Sequence, residues 1–345
     1  MNKKIIALAV ASAFAAPMAA QAEMKVYGQG QIEYGTWGGN DGASIGNESI
    51  EDNARGRLGF KSTEDLGNGL KAIAKFEFKV DTSDGDADTK SKTGNISLQK
   101  REMMIGLKGG WGQFQAGRLK TAYKYTGGVK YDPFVASILE ARGNAGMSGK
   151  VGNGAIKSAA GHNGFVDDSV AYINKFGNIH FWITYDLDTG GPSNGSGGSN
   201  AITAALKYKS KKWEMFVAMV DDDGGDAAPG NGYDSIKFGG QVKIGAAHKI
   251  SAQYEQATDE ANGFDIDTYY VDYQFKFGKN MIDLAIGNTD VSPIGGGASA
   301  DGDFLRIALK HKFSKKTSTW IGYRANDTDV NEDIDVISLG MRVDF

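Results

Sequence analysis

The chain has 345 residues, a formal net charge of −4, 49 glycines, five prolines and no cysteine. Without cysteine, an exported protein is not a disulfide scaffold, and neither thiol catalysis nor thiolate metal binding is available to it. The absence of a basic excess gives no indication of nucleic acid as a partner, and the few prolines exclude a collagen-like chain.

The first residues have the features of a cleaved signal peptide. A basic start at Lys3 and Lys4 precedes an apolar, uncharged stretch, and the small-x-small pattern that signal peptidase recognises ends at Ala22. The apolar stretch is shorter than the roughly 20 residues that a membrane-spanning helix needs. The sequence therefore predicts residues 1–22 as a signal peptide and residues 23–345 as the single domain of the exported protein.

Beyond the signal peptide, apolar and polar residues alternate with a period of two, which indicates β-strands with one apolar face. In the last segment, Ile337, Leu339, Met341 and Val343 share one face and polar residues share the other. Many alternating stretches are about 9 to 11 residues long, the length that crosses a bilayer at a tilt. About sixteen strands are predicted, at 24–37, 54–62, 69–80, 97–108, 111–120, 166–176, 179–188, 201–210, 212–220, 235–245, 247–257, 266–277, 280–289, 303–313, 317–325 and 334–345.

Short and long connections alternate between these strands. Short links such as residues 278–279 join some pairs, whereas long polar segments such as 189–200 and 290–301 join others. Aromatic residues concentrate beside both kinds of connection, as in the two interfacial belts of a membrane barrel. The pattern predicts an all-β fold, a transmembrane antiparallel β-barrel of about 16 strands. Such a barrel has to close because an open edge in lipid leaves backbone groups unpaired.

Two blocks of sequence, ARGRLGFKSTEDLGNGLKA at 54–72 and KREMMIGLKGGWGQFQAGR at 100–118, resemble the Gram-negative general porin family of the neisserial and β-proteobacterial type. The strand ending in Phe345 is similar to that family's assembly signal, which implies the barrel-assembly machinery as a partner. The resemblance implies a homotrimeric outer-membrane channel for passive diffusion of ions and small hydrophilic solutes. It also implies that loop 3, here residues 121–163, folds into the lumen.

In this family, basic side chains on the barrel wall face acids on loop 3, and together they form the pore constriction. The motif Tyr131-Asp-Pro-Phe134 is similar to the family's loop motif, and residues 136–142 are predicted to form a short helix. The candidate acids of the constriction are Asp132 and Glu140. The candidate basic wall consists of Arg55, Arg57, Lys75, Arg101 and Arg118.

Alternation supports the inward direction of some of these side chains and leaves one ambiguous. Around Arg101, Met103 and Met104 compete for the apolar face, and a β-bulge would resolve the conflict. Five further basic residues are predicted to be general lining of the lumen: Lys207, Lys237, Lys243, Arg306 and Lys310.

Other functions have weaker support in the sequence. Acidic stretches at 84–88 and 221–226 resemble fragments of calcium loops. Neither continues to the glycine and distal glutamate that an EF-hand needs, so no metal or other cofactor is predicted. With four histidines and no G-x-S-x-G or H-E-x-x-H motif, the chain is not predicted to be an enzyme.

Two alternatives to a general channel remain open. One is a substrate-selective outer-membrane channel for sugars or an anion, and the other is a secreted all-β adhesin or binding protein. Outer-membrane lipid and lipopolysaccharide are expected around the barrel. The sequence leaves ion selectivity open, because inward basic residues favour anions while acidic loops favour cations.

Overall fold

A computed structural model describes residues 23–39, 47–51, 56–80, 98–148, 150–151, 156–157, 164–187, 200–224, 232–260, 262–297, 299–329 and 333–345. Within these ranges, sixteen strands build the wall of a barrel. They are β1 (Glu23–Gly39), β3 (Arg57–Gly67), β4 (Leu70–Lys79), β5 (Gln99–Gly109), β6 (Gly112–Lys120), β9 (Phe165–Phe176), β10 (Ile179–Asp186), β11 (Ala201–Lys209), β12 (Trp213–Asp222), β13 (Tyr233–Ile244), β14 (His248–Asp259), β15 (Phe264–Phe277), β16 (Asn280–Pro293), β17 (Ala300–Lys312), β18 (Thr317–Thr328) and β19 (Ile334–Asp344).

Four shorter elements accompany the wall. Strand β2 (Asn47–Glu51) pairs with β1 beyond the end of β3, and β7 (Lys150–Val151) pairs with β8 (Ile156–Lys157). Helix α1 covers Ala122–Tyr125, and one turn of 3₁₀-helix follows at Gly128–Lys130. No helix in the described part of the chain is both long and apolar enough to cross a membrane.

The sheet closes between its first and last strands. Residues 29–39 of β1 pair antiparallel with β19, and residues 23–29 pair with β3 on the other edge. Each remaining wall strand pairs antiparallel with the next wall strand in the chain, and β6 pairs with β9 across residues 121–164. The closed, antiparallel, sixteen-stranded barrel confirms the predicted fold class.

Several strands extend farther toward the long connections than the sequence predicted. Strand β16 continues to Pro293 instead of ending near residue 289, and β15 begins at Phe264. Polar side chains bond across these extensions, as where Thr258 donates to Asp265 over 2.8 Å. In the extension of β16, Asp290 is exposed and Val291 beside it is buried, so the apolar face of the rest of the strand does not continue there. The pattern of apolar residues that marks the rest of each strand therefore ends before the strand does.

Each wall strand has two faces of different character. On β17, the apolar side chains Leu305, Ile307 and Leu309 are exposed, whereas Arg306 between them is buried. We call the side with exposed apolar residues the apolar face and the opposite side the polar face. Near the short turns, aromatic rings stack on the apolar face, as between Tyr208 and Trp213 with centroids 4.5 Å apart.

Residues 121–148, called here the long segment, begin with a capped helix and continue as turns. The Thr121 hydroxyl accepts a hydrogen bond from the Lys124 N–H at 3.1 Å, which caps α1. The helix predicted over 136–142 is wrong. Ala136 has a φ of +54°, and the N–H groups of residues 136, 138 and 141 donate to carboxylates instead of to helical carbonyls.

The long segment packs against aromatic residues on the polar face. Tyr131 meets Phe216 edge-on with centroids 5.4 Å apart, and Phe134 meets Trp320 at 6.4 Å. Buried apolar clusters join the segment to β11–β18, so it is held by packing as well as by hydrogen bonds. The polar face therefore also carries apolar side chains, and these lie where the long segment packs against it.

Candidate constriction site

A cluster of opposite charges lies on the polar face of β3–β6. Arg101 Nε donates to Glu77 Oε1 at 2.9 Å, and Arg57 Nη1 lies 3.8 Å from the same oxygen. Lys75 Nζ lies 3.3 Å from Glu77 and also donates to Glu102. Three of the sequence-predicted wall residues thus come together around two carboxylates. We call this set, with Lys120, the charged cluster.

The cations of the charged cluster lie nearer to solvent than its carboxylates. Lys120 Nζ is 3.8 Å from Glu102, which makes it the fourth cation. The four cationic side chains are 16–29% exposed, whereas those of Glu77 and Glu102 are 5% and 3% exposed. Within this set, four cations and two carboxylates sum to a charge of +2, and the cations are the more accessible members.

Two other predicted wall residues have different surroundings. Arg118 pairs with Asp167, and its Nε donates to the Arg101 carbonyl at 3.1 Å. The guanidinium groups of Arg101 and Arg118 lie 5.1 and 6.0 Å from the Phe165 ring centroid. Arg118 is therefore a neighbour of the charged cluster. Arg55 lies outside the described residues.

A register shift in the pairing of β4 with β5 settles the ambiguity at Arg101. Pairing shifts by one residue between Phe76 and Phe78, opposite the stretch that holds Arg101 and Glu102. Two successive side chains, those of Arg101 and Glu102, consequently bind partners on the polar face. The expected bulge is confirmed.

Sequence reasoning missed the two carboxylates and Lys120. Period-two spacing carried the necessary signal for two of them, because Glu77 follows Lys75 by two residues and Lys120 follows Arg118 by two. Glu102 carried no such signal, since it reaches the polar face together with its neighbour Arg101 through the register shift.

Asp132 lies in a buried ionic network that ties the long segment to the wall. Arg306 contacts Asp132 at 2.9 Å, Asp283 at 2.7 Å and Asp272 at 3.5 Å, and it donates to the Tyr270 hydroxyl at 3.0 Å. The side chains of Arg306 and the three aspartates are 0% exposed. Arg306 was predicted to line the lumen; instead it is an anchor beneath the long segment.

The acids of the long segment also bind its own backbone. Asp132 accepts hydrogen bonds from the N–H groups of residues 134 and 141, each at 2.8 Å. Glu140 accepts one from the Ala136 N–H and binds Arg142 Nε at 2.7 Å, and this carboxylate raises the pKa of Arg142. Both predicted acids thus hold the shape and position of the segment.

Lys130 brings a further positive charge from the long segment. Desolvation, followed by the positive charges of Lys207 and Lys120, lowers the pKa of Lys130 to about 8. Lys207 itself lies 3.6 Å from Glu214. The segment therefore places an ammonium group among wall lysines, at a site where sequence reasoning expected carboxylates.

The other basic residues assigned to general lining differ from one another. Lys237 is fully buried with its Nζ 3.8 Å from the centroid of the Tyr123 ring, so it holds the long segment and does not line open space. Lys310 Nζ donates to the Pro133 carbonyl at 3.1 Å. Lys243 is exposed near the end of β13.

The described residues form no metal-binding site. In those ranges, no group of three or more histidine or acidic side chains is arranged to hold an ion. The acidic stretch 84–88 and residues 225–226 of the second stretch lie outside the described residues.

Comparison with known proteins identifies the family. The sequence profile of the Gram-negative porins matches residues 7–331. The chain belongs to the Gram-negative porin family. Among curated relatives, the major outer membrane protein P.IB of Neisseria meningitidis serogroup B is 28% identical over 349 residues, covering 93% of this porin and 92% of the relative. Another P.IB sequence from serogroup B is 38% identical over 136 residues, and this match spans 37% of each chain.

Solved structures share the fold of this porin. The anion-selective porin from Comamonas acidovorans has a TM-score of 0.71 at 18% identity, covering 94% of this chain and 100% of that one. The trimer form of OmpT from Vibrio cholerae has a TM-score of 0.68 at 14% identity, with 94% and 99% coverage.

Family membership confirms the predicted outer-membrane location and indicates a channel rather than an enzyme. In a membrane barrel the exposed apolar face meets lipid, because it covers the hydrocarbon-facing side of each strand. The polar face with its charged cluster is then the face that solutes meet.

Proposed function

We propose that this porin is a passive channel for ions and small hydrophilic solutes, with a constriction between the charged cluster and the long segment that favours anions. One observation carries the ion preference. The cations Arg57, Lys75 and Arg101 are accessible, whereas the carboxylates that they neutralise lie beneath them.

The long segment is inferred to fold into the lumen and narrow it. It bonds to the polar face of widely separated strands. Gln31 on β1 donates to the Ala136 carbonyl at 2.7 Å, and Thr289 on β16 donates to the Ala145 carbonyl at 3.0 Å. Since lipid covers the opposite face, a segment with these partners lies within the barrel.

A narrow passage strengthens the effect of the exposed cations. Fields from fixed charges act strongly where walls are close and the local dielectric is low. Asp132 and Glu140 are engaged with Arg306 and Arg142, so they offset the wall charge less than free carboxylates would. The Comamonas porin of the same fold is described as anion-selective, which supports the same preference here.

The remaining parts of the proposal concern processing and assembly. Residues 1–22 are removed on export, and the barrel-assembly machinery recognises the strand that ends in Phe345. Three copies assemble in the outer membrane, as the trimer form of the similar OmpT structure suggests. Lipopolysaccharide surrounds the outer rim.

A second candidate function is a channel that binds a particular anion. It is favoured by three lysines around the ring of Tyr125, since the Nζ atoms of Lys120, Lys124 and Lys130 lie 5.1, 5.6 and 5.8 Å from its centroid. Conductance that saturates as salt rises would favour this binding channel, whereas nearly linear conductance favours general diffusion.

Two substitutions in the charged cluster test the proposed constriction. Arg57→Ala is expected to raise single-channel conductance, because it removes a long side chain from the passage, and to shift the reversal potential toward cations, because it removes a positive charge. Glu77→Gln is expected to shift the reversal potential toward anions, because it removes a negative charge from the charged cluster. Lys316→Ala, in an exposed short turn, is the matched control. A reversal potential that Arg57→Ala leaves unchanged would remove Arg57 from the constriction.

A further inference from the structure

The apolar face carries a groove near the short-turn end of β12–β14. Its volume is about 480 Å³, and its walls include Trp213, Met215, Val242 and Ile250. These four side chains are 37–56% exposed, so the groove opens toward lipid and not toward the lumen. An open, apolar surface of this kind fits part of a hydrocarbon chain.

The groove exists because two of the three residues in one row across the sheet, Gly240 and Ala252, are small. Gly240 pairs with Met215 on one side and with Ala252 on the other. A Cβ at Gly240 would lie 2.6 Å from the Glu214 carbonyl oxygen, so the backbone itself keeps this position free of a side chain. The flanking rows carry larger residues, Val242 and Ile250 toward the turn and Phe238 and Tyr254 away from it.

These flanking rows define the width and direction of the groove. They are four residues apart along a strand, or about 13 Å. The Phe238 and Tyr254 rings pack with centroids 5.5 Å apart and close the groove on the side toward the bilayer centre. The row of Val242 and Ile250 forms the other side, and beyond it lies the turn between β11 and β12, where the membrane meets water.

Positive charge stands at the water end of the groove. Lys211 and Lys212 are exposed in the turn, whose shape is fixed by the Ser210 hydroxyl oxygen accepting from the N–H groups of Lys212 at 3.3 Å and Trp213 at 3.0 Å. Trp213 stacks on Tyr208, which places an indole at the level of lipid headgroups. Two ammonium groups beside an apolar groove are complementary to a lipid phosphate above its acyl chain.

We propose that this groove is a binding site for an anionic phospholipid of the inner leaflet. One acyl chain lies over Gly240 and Ala252, and the phosphate lies near Lys211 and Lys212. Short turns of outer-membrane barrels face the periplasm, so the water end of the groove is at the leaflet made of phospholipid. The site is separate from the lumen and does not depend on ion selectivity.

The test compares lipid retention by four variants of the full mature chain. Each variant is folded into vesicles of phosphatidylethanolamine and phosphatidylglycerol and extracted in mild detergent. Retained lipid per chain is then measured by mass spectrometry. Ala252→Phe fills the groove, and Lys211→Glu with Lys212→Glu reverses the charge. The matched controls are Ala116→Phe, on an exposed position of the apolar face of β6, and Lys315→Glu with Lys316→Glu in another short turn.

Retained phosphatidylglycerol is expected to fall about tenfold in both groove variants and to be unchanged in both controls. The charge reversal is expected to leave the retention of phosphatidylethanolamine unchanged, because that lipid has no net charge and is not held by the two lysines. Equal retention by all four variants would overturn the proposal. So would an equal loss of both lipids on charge reversal, or a change of oligomeric state in Ala252→Phe, which would make the groove a contact between copies.

Discussion

At the scale of single residues, the charged cluster shows how carboxylates position cations. The Glu77 carboxylate is almost fully buried and lies 2.9 Å from Arg101 Nε and 3.3 Å from Lys75 Nζ. Burying a carboxylate is costly unless charged partners surround it, and here several cations share each acid. The arrangement fixes flexible basic side chains in place and leaves them partly exposed to solvent.

Lys130 gives this porin an expected pH dependence. Its pKa is lowered to about 8, so the ammonium is charged below pH 8 and becomes neutral as the pH rises above it. We expect anion preference, measured by reversal potential in a salt gradient, to weaken between about pH 7 and pH 9. Lys130→Gln should abolish this step and resemble the parent protein at high pH. An exposed-turn control, Lys279→Gln, should keep the step, and an unaltered step in Lys130→Gln would contradict the assignment.

Arg306 is expected to be the most sensitive anchor of the long segment. Arg306→Gln leaves Asp132, Asp272 and Asp283 buried without their cation, and breaking buried pairs of this kind costs about 3–5 kcal/mol. We expect a lower unfolding temperature and larger, noisier single-channel currents as the segment loosens. Asp132→Asn, which leaves Arg306 paired with two acids, should have a smaller effect. Equal effects of the two substitutions would contradict a contribution of Asp272 and Asp283 to the anchor.

At the scale of elements, alternation predicted the strands well because lipid and lumen impose opposite polarity on successive residues. It predicted less about the long segment, where backbone N–H groups bind Asp132, Glu140 and the distant Glu33 instead of forming a helix. Glu33 lies on β1, so no local pattern reveals that partner. The same limit hid the role of Arg306, whose three acids come from different elements.

The pairing of β1 with β19 ends in a contact between Gly28 and Phe345. Phe345 N–H donates to the Gly28 carbonyl at 3.0 Å, and a Cβ at Gly28 would lie 2.0 Å from the Phe345 ring. We expect Gly28→Val and Phe345→Ala to lower the yield of heat-modifiable folded protein in vesicles. The valine side chain would displace the Phe345 ring from β1, and the alanine substitution removes that ring. Gly30→Val is the matched control, since open space surrounds Gly30. An equal loss of folded protein in Gly30→Val would contradict a role of the contact with Phe345, because the effect would then come from replacing any glycine of the strand.

Across the whole barrel, the polar face has two sides of different character. One side of its polar face binds the long segment through apolar clusters and the Arg306 network. The other side, on β3–β6, keeps its cations accessible in the charged cluster. The sequence predicted a closed barrel and a basic wall, but not this division, because it arises from which strands the long segment reaches.

The proposed function of this porin is an aqueous channel whose constriction is positively charged. The most direct test is single-channel conductance of the purified mature protein in a planar bilayer, with the reversal potential measured under a salt gradient. We expect stepwise insertions in groups of three, current that rises nearly linearly with salt, and a reversal potential on the anion side. Folded, heat-modifiable protein that gives no conductance would contradict the channel, and a cation-side potential would contradict the charged constriction.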